Sequence, residues 1–407
     1  MGSTVGNFFR RMKICDLTQF YSPVSGGVKR YIAEKVQYIR EHTTSDEHLL
    51  IIPGAKDEVI EGERSRTYKI EAPLISRASQ YRVIFRLEAI ERILEEERPD
   101  IIECGDPYQV AWQAVQSGEA LGIPVVGFYH SHFPEAYVRS GLQCLGQTAT
   151  EFFHGLSRRY VGSLYRRFER TIVPSPRLGD LLEGWGLRNI FLTDLGVDGE
   201  IFQPKAKGGE DLRGELGISK EKILLLYVGR LAQEKNTRVL CEAFRDLCRN
   251  YPQRFHFLII GDGVERSELA GVESLTHLHY CDSALRLAAC YRAADLFVHP
   301  GLQETFGLVA LEAQACGTRV VGIRGSYMDR IIHSDQAGWA TENHPRALAV
   351  AIEEAARDCR SWSGGALSQL VINRYSWRKI FCRLFNGYTE VIADFHRQRS
   401  RRDGGAP

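Results

Sequence analysis

The stretch "DLFVHPGLQETFGLVALEAQACGTRVVGI", residues 295–323, reads as a strand, a turn, a helix and a second strand. The apolar runs "DLFVHP" (295–300) and "RVVGI" (319–323) are short enough to be buried strands, and the segment between them has a helical period. The helix is expected to open near Thr305 or Phe306. Two apolar strands joined by a helix form the repeating unit of a parallel α/β sheet.

The same alternation extends outward from this unit. A second-half series begins at "ILLLYVGR" (223–230) and continues with "FHFLIIG" (255–261) before the opening stretch. A first-half series comprises "KICDL" (13–17), "HLLIIP" (48–53), "DIIEC" (100–104), "PVVGFYH" (124–130) and "TIVPS" (171–175), with helical patterns in the gaps. Between the series, "LGVDGEIFQPKAKGGEDLRGELG" is rich in Gly and charge, which marks a boundary near residues 195–210. The fold class expected is α/β with two doubly wound domains, residues 1–200 and 201–377, facing across a cleft where ligands of such sheets bind.

Composition limits the function classes. The 407 residues are 44% hydrophobic and 25% charged, as in a globular protein with separate cores. Basic and acidic residues number 52 and 51, so no global field recruits nucleic acid. The ten cysteines form no C-x-x-C pair or metal-ligand cluster, which points to a reducing compartment and away from zinc. No run approaches the roughly 20 apolar residues of a membrane span, and the start "MGSTVGNFFRRMK" lacks a secretory core. A cytoplasmic location is expected.

Candidate site residues come from both halves. Taking about 100° per residue, Leu308, Leu311 and Ala315 share one side of the expected helix, and Glu312 projects beside them. A carboxylate against an apolar face costs several kcal/mol unless it is hydrogen-bonded, so Glu312 has a partner: either ligand hydroxyls, or a structural Arg or solvent. Glu304 and Glu312 would stand about 12 Å apart on a continuous helix, too far for joint attack on one bond. They suit opposite ends of one extended ligand, with backbone NH groups of Thr305, Phe306, Gly307 and Leu308 offering an anion site between them. In "YVGRLAQEKN", Arg230 and Lys235 at a strand end are either solvated surface or a bracket for a diphosphate. In "LIIGDGVER", Gly261 and Gly263 make either a turn or a close approach to a ligand. Gly26 and Gly27 in "SGGVKRYI" (25–32) carry the same two readings, and His130 at a strand end is either structural or part of a site.

Together "VGRLAQEKN", "LIIGDGVER" and "HPGLQETFGLVALEAQACG" resemble the family 4 glycosyltransferases, which are retaining enzymes of the two-domain GT-B fold. "YSW" (375–377) resembles the start of the family's closing helices, which implies that residues 378–407 cross back to the first domain. Carried over position by position, the resemblance implies that Arg230 and Lys235 neutralise the diphosphate of a UDP- or GDP-sugar. Glu304 would hold donor-sugar hydroxyls and Glu312 the ribose. "GFYHSHFPEAY" matches the family's His-containing loop, making His130 the catalytic-site histidine, and "YHSHFPE" is similar to the branch of mannosyl, glucosyl and sulfoquinovosyl transferases. A glycan or glycolipid acceptor follows. Beyond the donor as co-substrate no cofactor is implied; Asp-X-Asp is absent, and Arg230 and Lys235 would replace a metal ion. Domain closure would assemble the site.

Departures lie beside the donor residues. Pro300-Gly301 stands where the family often has Pro-Ser, Thr318-Arg319 where Leu-Pro is usual, and Asp329 where Glu is common. In "HGLSRRYVGSLYRRFER" (154–170) five arginines alternate with Tyr, Leu and Phe on an expected helix, either as a solvated face or as a peripheral membrane contact for anionic lipid. The rival functions are a non-catalytic nucleotide-sugar-binding protein and another enzyme of the same fold, such as a sugar-nucleotide epimerase or a phosphorylase.

Overall fold

The computed structural model describes residues 11–21, 26–75, 80–130, 147–205, 211–281, 283–333, 338–359 and 361–403. The leader, Ser25 of the first Gly-rich loop, "SHFPEAY" after His130 and part of the interdomain stretch lie outside the described residues. The chain forms two compact units. The first gathers the described residues up to His130, those from 147 to 193 and those from Ile380 onward; the second runs from Asp194 to Lys379.

In the first unit the strands are β1 (Lys13–Leu17), β2 (Glu47–Gly54), β3 (Glu58–Gly62), β4 (Ser65–Glu71), β5 (Ile101–Cys104), β6 (Val125–Phe128), β7 (Arg170–Val173) and β8 (Ile190–Leu192). They form one sheet in the order β3-β4-β2-β1-β5-β6-β7-β8. All pairings are parallel except the β3–β4 hairpin. The central strands read as apolar runs because both faces are covered: Ile14, Leu17, Ile101 and Ile102 have no exposed surface. The hairpin went unforeseen because its strands are charged, and β8 because its apolar run is only three residues long.

The helices of this unit are α1 (Gly27–His42), α2 (Leu87–Glu97), α3 (Gln109–Leu121), α4 (Gln147–Tyr165) and α5 (Pro176–Gly184). Helix α4 ends short of the expected 154–170 span, since Arg170 opens β7 and pairs with Glu390 at 2.9 Å.

The second unit holds α6 (Leu212–Glu215), β9 (Ile223–Val228), α7 (Thr237–Asn250), β10 (Phe255–Ile260), β11 (Leu275–Leu278), α8 (Ala284–Ala293), β12 (Leu296–Val298), α9 (Leu308–Ala315), β13 (Arg319–Ile323), β14 (Trp339–Ala340), α10 (Pro345–Ala356) and α11 (Gly365–Tyr375). Its wholly parallel sheet runs β11-β10-β9-β12-β13-β14. Leu240 and Phe244 of α7 and Leu348 and Ile352 of α10 pack with Leu225 and Phe257 of the sheet in one core. The strand order reverses between β9 and β12. In a doubly wound sheet that reversal opens a crevice at the carboxyl ends of the two strands.

The division between units falls at 193–194, earlier than residue 200. Val197 explains this: its NH donates to the Tyr375 carbonyl at 2.7 Å, bonding the segment to the end of α11. The last helix, α12 (Trp377–Asp403), belongs to the first unit from Ile380 onward. There Phe385 meets Tyr38 edge-on at 5.0 Å, and Tyr388 is buried against Lys35.

Candidate functional site

The crevice between β9 and β12 receives the loops that follow both strands. After β9, Gly229 and Arg230 lead into a single 3-10 turn, Gln233–Lys235, before α7. Asn236 carries this junction at φ 60°, a left-handed conformation that Asn tolerates. Its side-chain amide donates to the Pro300 carbonyl at 3.0 Å and to Asn343 Oδ1 at 2.7 Å. One residue thereby ties the Lys235 loop to the loop after β12.

That tie brings charges together. Lys235 Nζ lies 2.5 Å from Glu304 Oε1, and His299 Nε2 lies 3.8 Å from the same oxygen. Burial opposes ionisation of Glu304, but Lys235 above all, then His299 and Arg230, hold its carboxyl below the usual carboxylate range. Burial pushes the His299 imidazole below its ordinary value, with Glu304 pulling the other way and Lys235 adding to the depression. Arg230 is more exposed and pairs with Glu234 Oε1 at 2.9 Å. An exposed i,i+4 pair is worth only about 0.3–0.5 kcal/mol, so the guanidinium is readily surrendered to a stronger anion.

Helix α9 starts at Leu308, later than Thr305 or Phe306, because Gly307 at φ 88° sets the cap. Glu304 therefore precedes the helix, and the spacing calculated for a continuous helix does not apply. Phe306 is buried, facing Tyr375 at 6.3 Å, so its ring serves the core. Thr305 and Leu308 are half-buried beside it. From Ala310 to Ala315 every residue of α9 is buried, so it has no solvent stripe. Gln314 survives there by bonding the carbonyls of Ala310 and Ile331, both at 2.9 Å. Glu312 is likewise fully enclosed and accepts from the Tyr291 hydroxyl at 3.1 Å. Tyr291 is thus a structural partner, and the ligand reading of Glu312 stands beside it.

Gly261 and Gly263 have a packing reason. A Cβ on Gly261 would stand 1.9 Å from the Gly229 carbonyl oxygen, and one on Gly263 2.2 Å from that of Leu231. The bare backbones let the tips of β9 and β10 lie together, with Leu231 NH donating to the Asp262 carbonyl at 3.0 Å. Close packing of the strand tips accounts for glycine at both positions, and the ligand reading stands beside it.

In the first unit, His130 follows β6, half-buried. Its ring stacks on Phe128 at 3.9 Å and 4°, and meets Tyr31 edge-on at 5.2 Å. Burial, helped by the Lys35 charge and opposed by Asp16, pushes its pKa down to about 3. Below it lies a buried ionic network. Lys35 Nζ donates to Asp16 Oδ1 at 2.8 Å, Glu103 Oε1 at 3.0 Å and the Tyr388 hydroxyl at 3.2 Å, while His48 contacts Asp16 Oδ2 at 2.6 Å. Gly26 caps α1, and a Cβ there would meet nothing within 4 Å. Packing against the described residues therefore places no demand for glycine at 26. Gly27 is the first residue of that helix.

Residues 25–200 match the family described as Glycosyltransferase Family 4, and residues 209–361 match Glycosyl transferases group 1. The chain belongs to the family 4 glycosyltransferases. It is similar, at 26% identity over 94% of its length and 90% of the relative's, to a GDP-mannose-dependent alpha-mannosyltransferase of Corynebacterium glutamicum. It is 29% identical to the sulfoquinovosyl transferase SQD2 of Arabidopsis thaliana over 59% of this chain and 46% of that one. The sucrose-phosphate synthase structure from Thermosynechococcus elongatus superposes with a TM-score of 0.74 at 20% identity, covering 94% of this chain and 100% of that one. The GT-B fold is therefore shared with solved glycosyltransferases.

Among the described residues no helix is long and apolar enough to cross a membrane. Sequence reasoning missed His299, Asn236 and Tyr291 in this family 4 site. Only His299 left a signal, a polar residue closing an apolar strand run directly before the Pro300-Gly301 departure.

Proposed function

We propose that this glycosyltransferase moves a hexose, mannose or glucose, from a nucleoside diphosphate sugar to a hydroxyl of a glycan or lipid-linked acceptor, with retention and without a metal ion. The observation that carries this reading is the convergence of Lys235, Arg230 and Glu304 on the crevice where the strand order reverses. Two cations there match a diphosphate. The carboxylate beside them matches sugar hydroxyls. The GDP-mannose dependence of the Corynebacterium relative favours mannose as the sugar.

Arg230 supplies a planar fork and Lys235 a point charge to the diphosphate, and both interactions strengthen as negative charge develops on the leaving oxygen. Glu304 accepts from donor-sugar hydroxyls and Glu312 from those of the ribose. The bond from the anomeric carbon to phosphate breaks while the acceptor oxygen bonds to the same face. The departing phosphate oxygen takes the acceptor's proton. His130, uncharged at neutral pH, is assigned a hydrogen-bonding part and not that of a proton acceptor. Incubation of the pure protein with UDP- and GDP-hexoses, following slow hydrolysis without acceptor, tests the reading. Release of the nucleoside diphosphate from one of them is expected, and binding without turnover would favour the non-catalytic alternative.

The acceptor side includes a surface on α4. Phe152 is 68% exposed and Leu156 53%, on the helix that also carries the exposed Arg158 and Arg159. Apolar side chains interleaved with cations fit an anionic bilayer surface. Sedimentation with phosphatidylglycerol vesicles should show binding at low salt that weakens at high salt. Binding that ignored ionic strength would count against it.

A further inference from the structure

His299 follows β12 as the last rung of the sheet: its NH donates to the Val321 carbonyl at 2.8 Å. The side chain is only 5% exposed. Its Nδ1 is buried without a hydrogen-bond partner among the described residues, and its Nε2 faces Glu304 Oε1 at 3.8 Å. A buried polar ring with an unpartnered nitrogen calls for an explanation. Gly301 supplies the room. A Cβ there would stand 3.1 Å from His299 Cε1 and 3.2 Å from Glu304 Oε1, so any larger residue would press on both groups. The Pro-Gly departure from the family's frequent Pro-Ser thus coincides with a histidine ring that needs the space.

Glu304 therefore has two nitrogen neighbours of different kinds. Lys235 is on a flexible stem and, on the reading above, is drawn to the diphosphate when the donor binds. The imidazole is pinned by the sheet and cannot follow. We propose that His299 is a positioning residue for Glu304, keeping its carboxylate turned to the donor sugar once Lys235 engages the diphosphate, with Gly301 providing the space for the ring. This rests on the donor reading of the site.

The test compares wild type, His299→Leu, His299→Asn and Gly301→Ala. Steady-state kinetics use the UDP- or GDP-hexose that wild type hydrolyses, and calorimetric titration uses UDP and GDP without sugar. His299→Leu should lower kcat/KM by on the order of 10²-fold, as displacement of a reacting group does, while affinity for the bare nucleoside diphosphate stays within about twofold. His299→Asn, which keeps an NH donor, should recover part of the loss. Gly301→Ala, which keeps the ring but crowds it, should show the same sugar-selective defect, and it carries the test if His299→Leu does not fold. Unchanged kcat/KM in His299→Leu, or a parallel loss of bare-nucleotide affinity, would overturn the proposal while leaving the donor reading intact. A wild type that binds no sugar nucleotide would overturn both.

Discussion

Lys235 and Glu304, the cation assigned to the diphosphate and the carboxylate assigned to the donor sugar, hold each other at 2.5 Å. Each shields the other from being an uncompensated, largely buried charge, a state that costs several kcal/mol. Donor binding then exchanges one set of charge partners for another.

Lys235→Ala should lower kcat by about 10²- to 10³-fold, more than it raises donor KM, because the lost interaction grows as the phosphate departs. Steady-state kinetics check this. The same variant makes a stability prediction. Glu304 is held below its ordinary pKa by Lys235, so the pair stabilises the fold above the unfolded value near 4.5, and that contribution is lost as pH falls through the folded one. The melting-temperature gap between wild type and variant should be largest at pH 7 and close toward pH 3.

His130, at about 3, is neutral throughout the working range. The kcat/KM profile should show no ascending limb from this residue between pH 5 and 8, although His130→Ala is expected to lower activity. A limb near pH 6 that vanished in His130→Gln would show that the ring does titrate during turnover. The pH slope has the same sign as for Glu304, because here too the unfolded group binds its proton first. Below about pH 6.5 wild type should lose up to about 1.4 kcal/mol per pH unit relative to His130→Gln, down to about pH 3.

Lys35→Met should cost about 3–5 kcal/mol in urea unfolding, because Asp16 and Glu103 would be left buried without their cation. Burial already raises the Glu103 carboxyl to about 7, against the pull of Lys35 and with the help of Asp16. A cost below about 1 kcal/mol would mean that the network relaxes or takes up protons freely.

Glu312→Gln keeps an acceptor for Tyr291 and should fold. Donor affinity should fall by about tenfold or more, since a hydrogen bond to a charged group is worth about 1.5–3 kcal/mol. Calorimetry with the sugar nucleotide measures it, and unchanged affinity would return Glu312 to a purely structural part.

Activity should persist in EDTA, because on the proposed reading Arg230 and Lys235 supply the positive charge at the leaving group. A strict requirement for Mg or Mn would contradict this.

The amino-acid sequence alone determined the two strand series, the α/β class and four charged candidates. Buried parallel strands must be apolar on both faces, and a strand-end cation or a carboxylate inside an apolar helix stands out against that background. The β3–β4 hairpin escaped because an exposed edge needs no apolar run. Tertiary structure alone decided which charges meet. Lys235 and Glu304 are joined by the Asn236 bond to Pro300, Glu312 accepts from Tyr291 of another helix, and His299 is confined by the room at Gly301. Those relations depend on how loops from β9 and β12 pack at the strand reversal, and contacts between residues far apart in the chain leave no periodic mark in it.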